Sequence, residues 1–412
     1  MSDVRSHAGH EEFCLPLEGY RFLEVGTSEG TCYVGFLAAL AGASVCRVEM
    51  PGGEGGLGPP HNEAVALELG LLNVNKRSIV LDLVGDKGRT VFLDLVGQAD
   101  VVFGDFGPRM DALGLAPETL FAAKPELVCG SLTPAGRTGE LPELTSAELA
   151  IQAYVGLMSV TGFPSNPPVQ VGPAVAAFFS GAHLYDGIVS GLFHRERTGR
   201  GCIIDIAMLD SLYPALMSNI GLVLGGPFNP TPREGNRNAG QACAPYNMYE
   251  TSTGYVALRV SRDEHWQALV GLFETDHIGV PPGLESMADR VASVDLVDEI
   301  VGAWTRRRST TEACAAIDAA GVPCGPVRTI GEVVQDPHLR TRGIVVDRSH
   351  AGGLPIGLQT PLRFYGETPP PLGDAPSPSE HDFDVLGEWL GVSPEDVAEL
   401  RATSVLRGPD VH

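Results

Sequence analysis

The strongest constraint on the fold lies in residues 20–49. Tyr20-Arg21-Phe22-Leu23-Glu24-Val25 reads as a short strand and Gly26-Thr27-Ser28-Glu29-Gly30 as a turn. Thr31 to Ala41 reads as an apolar helix closed by Gly42, and Ala43 to Glu49 as a second strand stopped by Pro51. Two strands joined by one helical crossover run parallel, with a right-handed connection. The pattern recurs: strand Ser78 to Leu83, helix Asp86 to Gln98, strand Ala99 to Phe103. A further strand is expected at Leu127 to Ser131. A long helix pair at about 146–160 and 174–197 then leads into a strand at Cys202 to Ala207. The fold class is therefore α/β.

Residues 222–240 are rich in Gly, Pro and Asn and mark a boundary. The expected division is a large α/β domain over 1–225, a small α+β domain over 226–325, and a C-terminal segment, 326–412, that returns to the large domain. That segment closes with helices at Glu380–Leu390 and Pro394–Arg401. No internal repeat is visible.

Charge narrows the range of partners. With 51 acidic against 28 basic residues, the formal net charge is −23, which argues against nucleic acid or an anionic membrane. Only Lys76, Lys87 and Lys124 are lysines, so an anionic ligand must be met by arginine, backbone N–H groups or helix N-termini. The eight cysteines are scattered singly with no C-x-x-C pair, so no metal site is expected. The N-terminus has no apolar stretch of signal-peptide type, and no window of about 18 residues is apolar enough to span a bilayer. A soluble cytoplasmic protein is the expectation.

Seven segments, in order, carry a family resemblance. They are the opening LEVGTSEGTCYVGFLAALAGASVCRVEMPGG, then LNVNKRSIVLDL (Leu72 to Leu83), DFGPRMDALGL (Asp105 to Leu115) and QAYVGLMSVTGFPSNPP (Gln152 to Pro168). RERTGRGCIIDIAMLD (Arg195 to Asp210), APYNMYETSTGYVAL and GVPCGPVRTIGEVVQDPHLRTRG complete the set. From about residue 17 to 401 the chain resembles the family III (CaiB/BaiF-type) CoA-transferases. The resemblance implies a Rossmann-like large domain plus a small α+β domain, in a dimer whose two chains interlock like links. It implies CoA or acyl-CoA as substrate, with no covalently bound cofactor. It also implies chemistry in which an aspartate attacks a thioester and passes CoA to an acceptor carboxylate. CoA contacts carry over to Ser28, Glu29, Leu81, Asp82, Asp105 and Arg109.

The departures matter more than the matches. The family's nucleophilic aspartate falls on Ala177, in Val171-Gly172-Pro173-Ala174-Val175-Ala176-Ala177-Phe178. A methyl group cannot attack a thioester or hold an acyl group. The family's D-G-P-P turn is Ser165-Asn166-Pro167-Pro168. Three cationic positions read Met50, Val84 and Ala112, with Arg109 and Arg47 as possible compensations. The racemase branch's histidine and aspartate fall on Ala147 and Ala177, which removes the base that α-proton abstraction needs. Glu148 and Ser165 stay as alternative catalytic groups, although a glutamate at a helix start commonly offsets the dipole and a serine is an ordinary turn residue.

Gly26-Thr27-Ser28-Glu29-Gly30 also matches the G-x-S-x-G elbow of serine hydrolases, with Ser28 as nucleophile, but no Asp and His follow in triad settings. The same turn lacks a full G-x-G-x-x-G, so a dinucleotide dehydrogenase is a weaker reading still. Gly235 to Gln241 resembles the family's glycine-rich active-site loop, and Arg306-Arg307-Arg308 reads as a solvated helix end. The leading reading is a non-catalytic subunit whose homologous partner carries the aspartate. The alternatives are a self-sufficient homodimer using Glu148 or Ser165, and the Ser28 hydrolase.

Overall fold

The computed structural model describes residues 14–51, 67, 70–141, 148–225, 233–238, 240, 242–348, 355–364 and 367–407. Six parallel strands form the main sheet: β1 (Arg21–Val25), β2 (Ser44–Glu49), β3 (Arg77–Val80), β4 (Val101–Gly104), β5 (Val128–Thr133) and β6 (Cys202–Ala207). Their order is β3-β2-β1-β4-β5-β6. This is a doubly wound sheet whose strand order reverses between β1 and β4. Helices cover both faces, so the central strand β4 (VVFG) is buried at every residue, and Glu24 of β1 and Arg47 of β2 are buried as well. Phe22 and Phe103, edge to face at 6.2 Å, pack between β1 and β4.

Three helices bear on the site. Helix α1 (Glu29–Leu40) leaves β1, α2 (Glu148–Tyr154) begins after residues outside the described set, and α3 (Val175–Thr198) precedes β6. The long helix expected over 146–160 is interrupted at Gly156, which sits at φ 89° and starts a separate turn, Leu157–Val160. Only glycine adopts that backbone without strain. Helices α1 and α3 pack backbone to backbone. A Cβ on Gly181 would lie 2.6 Å from the carbonyl oxygen of Gly30, and one on Gly30 would lie 2.8 Å from that of Ala177.

By its contacts the chain divides into two units. The first comprises the chain through Ile151, Pro173–Leu212, and the chain from Pro337 onward; the second comprises Gln152–Gly172 and Tyr213–Asp336. The boundaries expected after 225 and 325 thus fall after Leu212 and Asp336, and Gln152–Gly172, expected in the large domain, joins the second unit. The helix Met217–Gly225, with no buried residue, belongs to the second unit, and part of the Gly/Pro/Asn-rich stretch lies outside the described residues.

The second unit contains an antiparallel sheet of β7 (Tyr246–Thr251), β8 (Gly254–Arg259) and β9 (Cys324–Pro326), with helices including α4 (Asp263–Thr275) and α5 (Val294–Thr305). Its own core holds Trp266, Phe273 and Trp304. Arg308, expected to be solvated, lies 4.0 Å over the Trp304 ring and pairs with Asp276. The closing helices, Asp382–Leu390 and Pro394–Ala402, pack Val385, Leu386, Trp389 and Val397 into the first unit's core.

Candidate functional site

In a doubly wound sheet, ligands meet the protein beyond the carboxyl ends of the strands where the order reverses. Here that point lies between the turn after β1 and the turn after β4. Gly104 permits the approach: a Cβ there would sit 1.7 Å from the Val25 carbonyl oxygen. The next residue is Asp105, whose carboxylate lies over the first βα turn. Its Oδ2 accepts hydrogen bonds from Thr27 N and Ser28 N, both at 3.0 Å. Its Oδ1 accepts from Ser28 Oγ at 2.5 Å and Thr31 Oγ1 at 2.8 Å. Gly26, at φ 137°, makes room, since a Cβ there would lie 2.4 Å from Asp105 Oδ2.

The N-terminus of α1 is therefore occupied by a carboxylate of the chain itself. Free N–H groups and the dipole at such a terminus attract an anion. Asp105 accepts from two backbone N–H groups just before the first helical residue and from two hydroxyls, and its negative charge opposes a phosphate at the same place. Ser28 is the N-cap of α1, accepting from Thr31 N at 3.2 Å while its own proton goes to Asp105. A hydrolase serine would need an imidazole there instead, so the elbow motif is a capped helix start. Glu29 occupies the first turn of α1.

The second feature is the head of α3. Its N-cap is Ala174, which has no side-chain hydrogen bond, and its first turn holds no acidic residue. A helix of 24 residues nonetheless presents free N–H groups at this end. Glu148, from α2, supplies the acceptor: Oε1 takes Ala176 N at 2.9 Å and Oε2 takes Ala177 N at 3.1 Å. Glu148 lies in the first turn of α2, where a helix-start glutamate was expected, and it also caps the head of α3. Ala177 is 3% exposed, and its carbonyl group lies beside Gly30. The turn at Ser28–Gly30, Ala177 and Glu148 are thus neighbours, and the only carboxylate at the helix head among the described residues is acting as a cap.

The other expected positions lie apart. Leu81 is fully buried and forms a bridge with Leu406, and Asp82 N donates to Val405 O at 3.0 Å. Asp82 Oδ1 accepts from Val84 N at 3.1 Å and Gly85 N at 3.4 Å, an Asx turn into the helix Asp86–Gln98. Arg109 is exposed on a short helix, Pro108–Ala112. Arg47 is buried, 3.9 Å from Glu49. Ser165, in the second unit, is exposed, and among the described residues its hydroxyl bonds only to Asn166 Oδ1, at 3.4 Å. Ala147 lies outside the described residues, as do Ala239 and Gln241 of the expected glycine-rich loop. No group of His, Cys, Asp and Glu among the described residues is arranged to hold a metal. Burial pushes the thiols of Cys32 and Cys46 up to about 11 and about 12, which favours the neutral thiol over the nucleophilic thiolate at neutral pH. No helix among the described residues is long and apolar enough to cross a membrane.

Beneath the turn, a buried ion pair supports β1 and α1. Lys76 Nζ lies 2.8 Å from Glu24 Oε2, both side chains fully buried, and donates to Cys32 O at 2.9 Å and Asn73 Oδ1 at 2.7 Å. Burial raises the Glu24 pKa above its ordinary value, and the Lys76 charge opposes this only in part. The lysine of the LNVNKRSIVLDL signature is thereby a structural residue.

The sequence matches CoA-transferase family III over residues 17–382. The chain belongs to this family. It is 32% identical to a succinate–glutarate CoA-transferase of Agrobacterium fabrum, over 90% of this chain and 95% of that one. It is 27% identical to the alpha subunit of a succinyl-CoA–L-malate CoA-transferase of Chloroflexus aurantiacus, over 98% and 96%. Among solved structures, a CaiB/BaiF family protein from Brucella suis superposes with a TM-score of 0.79 at 29% identity, covering 91% of this chain and 99% of that one. The α/β fold and the family recognised in the seven segments are both confirmed. The enzyme class is CoA transfer.

Proposed function

We propose that this family III chain is the non-catalytic subunit of a heteromeric CoA-transferase. The exchange would run between succinyl-CoA and a carboxylic acid, on an aspartate that a homologous partner chain supplies. One observation carries this reading. Where an attacking carboxylate is required, the head of α3 presents the buried methyl of Ala177, and Glu148 is committed to two backbone N–H groups there. A covalent transfer needs an oxygen nucleophile that can hold an acyl group and then CoA. The carboxylate of Asp105 on the N-terminus of α1 supports the same reading, because it disfavours a second anion at that point. The Chloroflexus relative, named as an alpha subunit, is a precedent for two-chain enzymes in this family. Such a complex would work in the cytoplasm, where acyl-CoA is found.

The test is to purify the chain alone and together with a co-expressed homologue that carries the aspartate, then follow CoA transfer from succinyl-CoA. Turnover is expected only for the pair. A covalent acyl or CoA adduct trapped on the lone chain and located by peptide mass spectrometry would overturn the proposal. Abolition of that adduct by Ser165→Ala or Glu148→Gln would then identify the group responsible.

A further inference from the structure

We propose that Cys314 and Cys324 are a modification site: a dithiol that small organic disulfides oxidise, reversibly, to an internal disulfide bond. All eight cysteines are free thiols, and the fold of the second unit brings these two together. The helix Thr310–Ala319 starts at a capping box, Ser309 with Glu312, and buries Ala313 and Ile317. Gly321, at φ 74°, turns the chain at its end, with Gly321 N donating to Asp318 O at 2.8 Å and Val322 N to Ile317 O at 3.2 Å. The chain then enters β9, where Cys324 stands opposite Leu258 of β8. Cys314 and Cys324 both pack against the core of Trp266, Phe273 and Trp304.

The sulfur of Cys324 lies 3.6 Å from the carbonyl oxygen of Cys314, and the two thiols hydrogen-bond to each other. No other two of the eight thiols share such a bond among the described residues. Both are partly exposed, whereas Cys32, Cys46 and Cys129 are buried. A small reagent therefore has access to this pair, and the partner sulfur is already in place.

The thiolate is the attacking species in disulfide exchange. Burial raises both thiols, Cys324 to about 11. The hydrogen bond from Cys324 opposes that rise at Cys314 and adds to it at Cys324, so Cys314 ionises first. Its thiolate attacks one sulfur of the reagent. The reagent S–S bond breaks, a mixed disulfide forms on Cys314, and one reagent thiolate leaves with the electron pair. Cys324, once deprotonated, attacks the Cys314 sulfur, closing the internal bond and expelling the second reagent thiolate. The two protons lost by the cysteines end on the two reagent thiols. One protein dithiol is oxidised and one reagent disulfide is reduced. A cysteine with no partner sulfur nearby would stop at the mixed disulfide. The inference is independent of any role in CoA transfer.

The experiment treats the folded full-length chain with hydroxyethyl disulfide, then alkylates free thiols and digests with trypsin. Both cysteines fall in one tryptic peptide, Ser309–Arg328, which has no internal Lys or Arg. That peptide is expected to appear unalkylated and lighter by two hydrogen atoms, and to regain two alkylated cysteines when dithiothreitol precedes alkylation. Closure is expected to speed up about tenfold per pH unit between pH 7 and 8, because both thiols ionise above that range. Cys324→Ser is expected to stop at a stable mixed disulfide on Cys314. In the unsubstituted chain, two alkylated cysteines after treatment, a mixed disulfide that persists in this peptide, or pairing of either cysteine with a different one would each overturn the proposal. These readouts come from the unsubstituted protein, so they hold whether or not the variant folds.

Discussion

Replacing Glu148 separates a cap from a catalyst. Its two hydrogen bonds to Ala176 N and Ala177 N, at 2.9 and 3.1 Å, are charge-assisted. Taken alone, each such bond contributes about 1.5–3 kcal/mol. Glu148 is only partly buried, so water replaces some of what is lost, and the net effect should approach that of losing a good N-cap, about 2 kcal/mol. Glu148→Ala is therefore expected to destabilise the protein by about 2 kcal/mol, a roughly thirtyfold change in the folded-to-unfolded ratio. Glu148→Gln keeps one acceptor oxygen without the charge and should cost about half as much. The assay is urea unfolding of both variants beside CoA transfer, measured for the chain alone and with the co-expressed homologue. A capping role predicts graded loss of stability, Ala beyond Gln, with transfer falling only as far as the fold does. Transfer abolished in Glu148→Gln at undiminished stability would refute the argument and make Glu148 a catalytic residue.

Asp105→Asn tests whether the chain blocks its own anion site. Losing the negative charge at the N-terminus of α1 should raise affinity for CoA, measured by equilibrium dialysis, by about tenfold, and destabilise the βα turn by about 1–2 kcal/mol; unchanged affinity would remove Asp105 from the argument. The buried Glu24 predicts a pH effect with a definite sign. Its folded pKa is raised above 4.5, so the folded state binds the proton more tightly than the unfolded one. Stability from this group is full below about 4.5 and is lost as pH rises through the raised pKa. Glu24→Gln should remove that decline in a series of unfolding curves, and an identical pH profile in the variant would contradict it. Lys76→Met, which leaves the buried carboxylate without its partner, should cost about 3–5 kcal/mol at neutral pH.

Much of the architecture was legible in the order of residues. Strand β1, helix α1 and strand β2 lie within a residue or two of where apolar runs, Ser28 and Gly42 place them, and the helix Asp86–Gln98 has the bounds read from its pattern. Those signals are local, because strand and helix periodicities repeat within a few residues. That position 177 carries only a methyl group was equally legible, since a residue type needs no structure to be read. The absence of a capping residue in Gly172-Pro173-Ala174-Val175 was a further clue that something distant must bind the head of α3.

The identity of that distant group came only from the tertiary structure. Glu148 reaches the head of α3 across 28 positions of sequence, and Asp105 reaches Ser28 across 77. Neither pairing has a period that a sequence pattern could register. Asp105 meets the first turn because the strand order sets β1 beside β4, and Glu148 meets Ala177 because the packing of the first unit sets the start of α2 against α3. The sequence by itself determined which chemical groups this chain has and which it lacks. The fold decided that Glu148 and Asp105 face backbone N–H groups of their own chain, because an unsatisfied N–H inside a packed domain must find an acceptor somewhere.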